Sequence, residues 1–120
     1  MTPPATQGTY PYPNEPTWSS SEKAIARTIF DAALKRELNE VIQKTKQKAN
    51  QINKPEDLWD LERYLTERRK DIDSKYAFRS SRFTRVFGIL LCERRVSEDE
   101  LRGLREDKVE AIRSCAKFLS

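Results

Sequence analysis

Not one of the 120 residues is a histidine. That removes the commonest general base, the commonest metal ligand and the usual charge switch at physiological pH in one stroke. Glycine is nearly absent too. Gly8, Gly88 and Gly103 stand singly, so no glycine-rich loop exists to cradle a phosphate. The two cysteines, Cys92 and Cys115, are far apart and form no CxxC pair; each falls on an apolar helix face, which predicts buried free thiols. No apolar run reaches the length of about 18 residues that a membrane span needs, and no basic-then-apolar signal segment opens the chain. A soluble, cytoplasmic protein is expected. Glu67 and Asp71 stand one helical turn apart, but Arg68, Lys70 and Lys75 surround them, so salt-bridged surface charge is expected there in place of a metal. Without a nucleophile–base pair, the chain is expected to be no enzyme and to carry no metal or cofactor.

What is present is helical. Residues 1–18 hold five of the six prolines, which force extended backbone, and are expected to form a disordered tail. The remainder, 19–120, reads as one all-helical domain, with long helices over about 20–79 and a compact head over about 82–119. Ser19 and Glu22 form a capping box at the start of the first helix. Ile25, Ile29, Ala32, Leu34, Leu38, Val41, Ile42, Thr45, Ala49 and Ile52 then keep a helical period for some 45 Å, at about 1.5 Å per residue. Pro55 suits the first turn of a second helix, with Glu56 and Asp57 at its positive end. Ser80 and Ser81 mark the next break. The apolar segment from Phe83 to Cys92 follows, then a helix capped by Ser97 and Glu100 that carries Leu101, Leu104, Lys108, Ile112, Cys115 and Leu119. No strand alternation occurs.

The second helix is the most informative element. Leu58, Leu61, Leu65, Arg68, Ile72 and Lys75 step by threes and fours into one narrow stripe, the form of a seam for another helix. Trp59 and Arg69 lie beside it on more exposed ground, and tryptophan is enriched where proteins meet partners. The long first helix has too few apolar partners in one chain. Pairing of two copies through the long helices, with Leu58, Leu61, Leu65 and Ile72 at the interface, is the expected remedy, giving an elongated homodimer.

The net charge is +4, but the middle is more basic than that, with ten Lys and Arg against five acids from Glu62 to Arg95. A basic middle suits an acidic partner surface, protein or nucleic acid, or is simply a solvated face. The segment from Phe83 through the last helix can be read as helix-turn-helix. The reading helix would then open on Glu98, Asp99 and Glu100, which a polyanion repels.

Asp57-Leu58-Trp59, Leu61, Leu65, Arg69, Ile72-Asp73, Lys75-Tyr76, Arg79, Val86-Phe87, Leu90 and Asp107-Lys108, in that order and spacing, resemble the fluorescence recovery proteins of cyanobacteria. The resemblance runs from about Trp18 to the C-terminus. It implies an all-helical homodimer that binds the photoactivated orange carotenoid protein, chiefly through that partner's C-terminal domain, and speeds its return to the orange state. Trp59 and Arg69 match residues important in that family. Glu62 stands where the family has a histidine, Arg63 where photoprotective members have an acid, Arg85 where they have a phenylalanine and Ala111 where they have a lysine. These departures imply a relative whose partner differs, or one from an organism without the carotenoid protein.

Overall fold

The computed structural model describes residues 17–120; of the segment assigned above to a tail, all but Thr17 and Trp18 lies outside that range. Helix α1 (Ser20–Asn50) begins where the capping box predicts. The Glu22 N–H donates to Ser19 Oγ at 3.2 Å, and the Ser19 N–H donates back to Glu22 Oε1 at 3.2 Å. Helix α2 (Pro55–Lys75) follows a short turn. Asp57 Oδ2 accepts from the Asn53 and Lys54 N–H groups, which ties that turn to the new helix. The second half of α1 and all of α2 run antiparallel as a long arm, with Lys48 Nζ over the Tyr64 ring at 5.0 Å.

The head is built from α3 (Phe83–Cys92) and α4 (Glu106–Leu119) packed on the first half of α1. Its core centres on Phe30, whose ring meets Phe87 at 5.0 Å and Phe78 at 5.2 Å, both edge-to-face. Such pairs add about 1 kcal/mol each beyond their buried area. Gly88 is required in α3, since a Cβ there would sit 2.8 Å from the Cβ and Sγ of Cys115. The whole measures 62 × 32 × 25 Å, and among the described residues there is no strand.

The structure corrects several expectations. Trp18 is no part of a tail: it is buried, edge-on to Phe83 at 4.9 Å and beneath Lys108 Nζ at 5.5 Å. The buried face of α1 is Glu22, Ala26, Ile29, Phe30, Ala33 and Glu37; of the apolar stripe read from sequence only Ile29 is fully buried, because the head covers a different side. Helix α2 stops at Lys75, before the serines, since Tyr76 and Phe78 leave the helix to pack against Phe30. Ser97 and Glu100 do form their capping box, but it opens a single tight turn (Asp99–Leu101) and not the last helix. The chain then breaks until Glu106 because the Arg105 N–H is claimed by Glu22 Oε2 at 3.1 Å. Cys92, at the last turn of α3, is exposed; Cys115 is half-buried, and both are free. Burial pushes the Cys115 thiol up while the charge of Arg85 pulls against it.

The end of α3 carries strain. Arg94 has φ 64°, the left-handed position usually given to glycine. Its N–H donates to the Leu91 carbonyl and that of Arg95 to the Leu90 carbonyl, a complete Schellman closure. Holding a side chain there costs about 1 kcal/mol. The turn delivers Arg95 towards α1.

Glu22 joins three elements. Burial alone would raise its pKa, but the Ser19 and Arg105 N–H groups and the Lys108 ammonium outweigh that and bring it from 4.5 to about 2. A folded-state value below the unfolded one means the contribution is complete above pH 4.5 and is lost as pH falls towards about 2. Urea unfolding from pH 6 to pH 3 should show a falling midpoint. Glu22→Gln should flatten part of that slope and lower stability at pH 7 by about 2 kcal/mol or more, because Lys108 is left buried without its counter-charge. An unchanged slope in the variant would contradict the assignment.

Candidate functional site

Two side-by-side stripes run along α2. The inner one holds Leu58, Leu61, Leu65, Arg68, Ile72 and Lys75, and its Arg68 and Lys75 reach Glu37 of α1. It is apolar at its outer end and ionic where arm meets head. There, Glu37 of α1 is without solvent exposure, and its carboxylate accepts from Lys75 Nζ at 2.9 Å on both oxygens, from Arg68 Nη2 at 2.5 Å and from the Tyr76 hydroxyl at 2.8 Å. Arg95 stands 3.7 Å away and is itself gripped by Glu40 and Glu93. Burial would raise the Glu37 pKa, yet the hydrogen bonds from Lys75, Arg68 and Tyr76 leave it lowered. The Tyr76 hydroxyl is pushed up by burial and by the same carboxylate. Four basic or hydroxyl groups from α2, its exit and the head thus converge on one anion.

Towards its outer end the inner stripe is poorly covered. Leu38 and Val41 of α1 and Leu65 and Ile72 of α2 floor an open groove of about 740 Å³, rimmed by Glu62, Arg69, Lys70 and Asp73. Ile72 is buried, Leu61 is half-buried, and Leu58 and Leu65 are exposed, as are Leu38 and Ile42. The outer stripe holds Trp59, Glu62, Arg63 and Arg69 on one face of α2, all exposed. Trp59 has 59% of its surface in solvent. Arg63 donates to Asp60 at 3.0 Å and Glu62 accepts from the Thr66 hydroxyl. An ion pair between Arg69 and Asp73 does not form; among the described residues no carboxylate lies within 4.0 Å of Arg69. Arg85 is exposed on α3 and so belongs to the head, apart from the other four. Ala111 is buried in α4. The described residues hold no group of three or more potential metal ligands. No helix among them is long and apolar enough to cross a membrane.

The chain matches, over residues 18–116, the family described as photoprotection regulator fluorescence recovery protein. This chain belongs to the fluorescence recovery protein family. A curated fluorescence recovery protein of Synechocystis sp. is 37% identical over 104 residues, 87% of this chain and 95% of that relative. Solved structures of the fluorescence recovery proteins of Fremyella diplosiphon and Synechocystis sp. superpose with TM-score 0.80 at 37% identity, covering 84% of this chain and 99% of theirs. The family match opens at Trp18, the residue that closes the head core on its N-terminal side.

Glu37 and Arg95 were not singled out in sequence, and Tyr76 only within the family resemblance. The signal was there in part, because Arg68 and Lys75 fall in register with an apolar stripe, and cations in such a register require a buried acid opposite. Glu37→Ala should destabilise the fold by about 3–5 kcal/mol in urea unfolding, because it strands Lys75 in the interior. A loss below about 1 kcal/mol, the size expected of a surface pair, would contradict the geometry.

Proposed function

We propose that this protein is a non-enzymatic regulator that binds the photoactivated orange carotenoid protein, mainly at its C-terminal domain, and accelerates its return to the orange state. The observation that carries the reading is Trp59, a large aromatic side chain left mostly in water on the same exposed face of α2 as Arg69, an unpaired arginine at the rim of the open apolar groove. Exposed aromatic and arginine side chains at the edge of an apolar surface are the usual makings of a binding centre. Acceleration requires more than affinity. The protein must hold the path between the two conformers more tightly than the photoactivated state itself, since equal affinity for both would change no rate. Membership in a family of photoprotection regulators supports this assignment, and Trp59 and Arg69 are the positions that match the family's important residues.

The same exposure supports a homodimer. Leu38, Ile42, Leu58 and Leu65 are exposed in the protomer, and a second copy seated along the arm would cover them. Leu65→Glu should convert a dimeric mass to a monomeric one by light scattering while leaving the helical signal intact. A monomeric wild-type mass at micromolar concentration would refute the dimer.

Mixing the purified protein with photoactivated carotenoid protein in the dark should shorten the red-to-orange recovery, less strongly than members with an acid at position 63. Arg63→Asp should shorten it further, and Trp59→Ala should weaken the effect with stability changed by no more than about 0.5 kcal/mol. No acceleration at large molar excess, together with no complex on size-exclusion chromatography, would overturn the proposal. It would favour instead a family scaffold serving another protein partner, for which the reversed charge at Arg63 and the arginine at position 85 are the specific observations. Nucleic-acid binding is disfavoured, because α4 opens on Glu106 and Asp107.

A further inference from the structure

The Glu37 carboxylate is offered more donors than it accepts. An ionised carboxylate has about four lone-pair positions. Here Arg68 Nη2 fills one, Lys75 Nζ fills one on each oxygen, and the Tyr76 hydroxyl fills the last. Arg95 is the surplus donor. Its Nε stands 3.7 Å from Glu37 Oε1, beyond hydrogen-bond reach, and its guanidinium is spent on Glu40 and Glu93. A cavity of about 320 Å³ lined by Glu37, Arg68, Lys75 and Arg95 leaves room for that guanidinium to advance. Arg68 is the one member of the knot with a second place to go. Its side chain lines this cavity and also the open groove of the arm, beside Arg69. It is 24% exposed, against 6% for the Lys75 side chain. Its other fork nitrogen, Nη1, donates to Asp71 at 2.7 Å, and Asp71 is an exposed carboxylate whose grip a competing anion replaces at little cost.

We propose that Arg68 and Arg95 are exchangeable ligands of Glu37: a partner carboxylate that draws Arg68 out towards the groove brings Arg95 onto Glu37 and carries the event into the head. Glu37 is never stranded in this exchange. Lys75 and Tyr76 stay in place, and the vacated lone pair is refilled by a cation, which a buried carboxylate requires. Outside, the Arg68 fork meets the incoming carboxylate bidentately, next to the unpaired Arg69. Arg95 does not move alone. Arg36 Nη1 donates to the Arg95 carbonyl at 2.6 Å, and the same guanidinium holds both oxygens of Glu100. Glu100 in turn accepts from the Ser97 N–H at 2.9 Å, so the turn Asp99–Leu101 is on the same line. The left-handed Arg94 immediately before Arg95 is the strained point about which the turn rearranges. Tightly packed ionic junctions switch between discrete pairings more readily than they deform, which makes this a two-position device. It links the exposed face of α2 to the turn after α3 without any ligand touching that turn. The partner's part in it rests on the reading that another protein meets the exposed face of α2, while the exchange itself is a property of this chain alone.

The test is a double-mutant cycle on the full-length protein, read by urea unfolding of wild type, Arg68→Gln, Arg95→Gln and the double variant. Members of an ordinary ion-pair network lose less together than the sum of their separate losses. Interchangeable ligands lose more, because each covers for the other until both are gone. The double variant should raise the unfolding constant at least about tenfold beyond the product of the two single effects. A product or less would overturn the exchange. If the double variant is unfolded in water, all four proteins are measured in the same concentration of trimethylamine N-oxide, which restores folding without altering the sign sought. A second reading is the arginine Nε–H correlation spectrum of Arg68→Gln. The Arg95 resonance and the amides of residues 93–97 should move, and shifts confined to the neighbours of position 68 would overturn the proposal. Photoactivated carotenoid protein is then added to labelled wild type. Movement of the Arg95 resonance in the direction seen for Arg68→Gln is expected. A complex that leaves Arg95 unmoved overturns the partner-driven exchange. No complex at all sinks the proposed function and leaves the cycle result standing, so the two failures are distinguishable.

Discussion

Glu37 sits without solvent exposure in the middle of a 31-residue helix, and a carboxylate in that place is tolerated only if positive charge is brought to it. Burying an ion costs several kcal/mol, about as much as the stability of a small domain can absorb, unless close counter-charges and hydrogen bonds offset it. Lys75 and Arg68 come from α2, Tyr76 from the point where α2 ends, and Arg95 from the strained turn after α3. Each of these elements is thereby held in register with the others. The junction between arm and head is an ionic knot, where a hydrophobic one of equal volume would slide more easily.

That arrangement divides the molecule. Inside the head the aromatic cluster around Phe30 provides the cohesion, and Glu22 with Lys108 ties the first turn of α1 to the start of α4. Along the arm apolar residues are left on the outside, at the groove floored by Leu38, Val41 and Leu65 and, nearer the tip of α2, at the exposed Trp59. Little of the fold's own stability depends on those exposed side chains. They are available for association, and the charged residues at the exposed positions 63 and 85 likewise leave the packed scaffold intact.

The sequence made the helix starts legible because capping chemistry is local: Ser19 with Glu22, and Pro55 with Asp57, act over three or four residues. It made the α2 stripe legible because a period of threes and fours needs no knowledge of what lies opposite. It did not reveal which side of α1 the head would cover, since Ala26, Phe30 and Ala33 compete there with an equally apolar stripe through Leu34, Leu38 and Ile42. Glu37 was hidden because a charged residue on a long helix looks solvated until its counter-charges are located, and those lie 31 to 58 positions away. The break before α4 depends on an N–H of Arg105 reaching Glu22 across 83 positions. Trp18 looked like the end of a proline-rich tail because the rings that bury it, Phe83 and Phe87, are equally remote. Of the residues read as a partner surface, Trp59, Glu62, Arg63 and Arg69 do share one exposed face, while Ala111 turned inward with the buried side of α4.

The account stands or falls on the claim that the exposed face of α2 is where this regulator meets its partner. Hydrogen–deuterium exchange on the protein alone, and again with photoactivated orange carotenoid protein in excess, measures this directly. Protection that appears on mixing across residues 58–69, with the Glu37-anchored middle of α1 already protected in both samples, is the predicted result. Unchanged exchange along that stretch, with new protection confined to surfaces elsewhere, would contradict it.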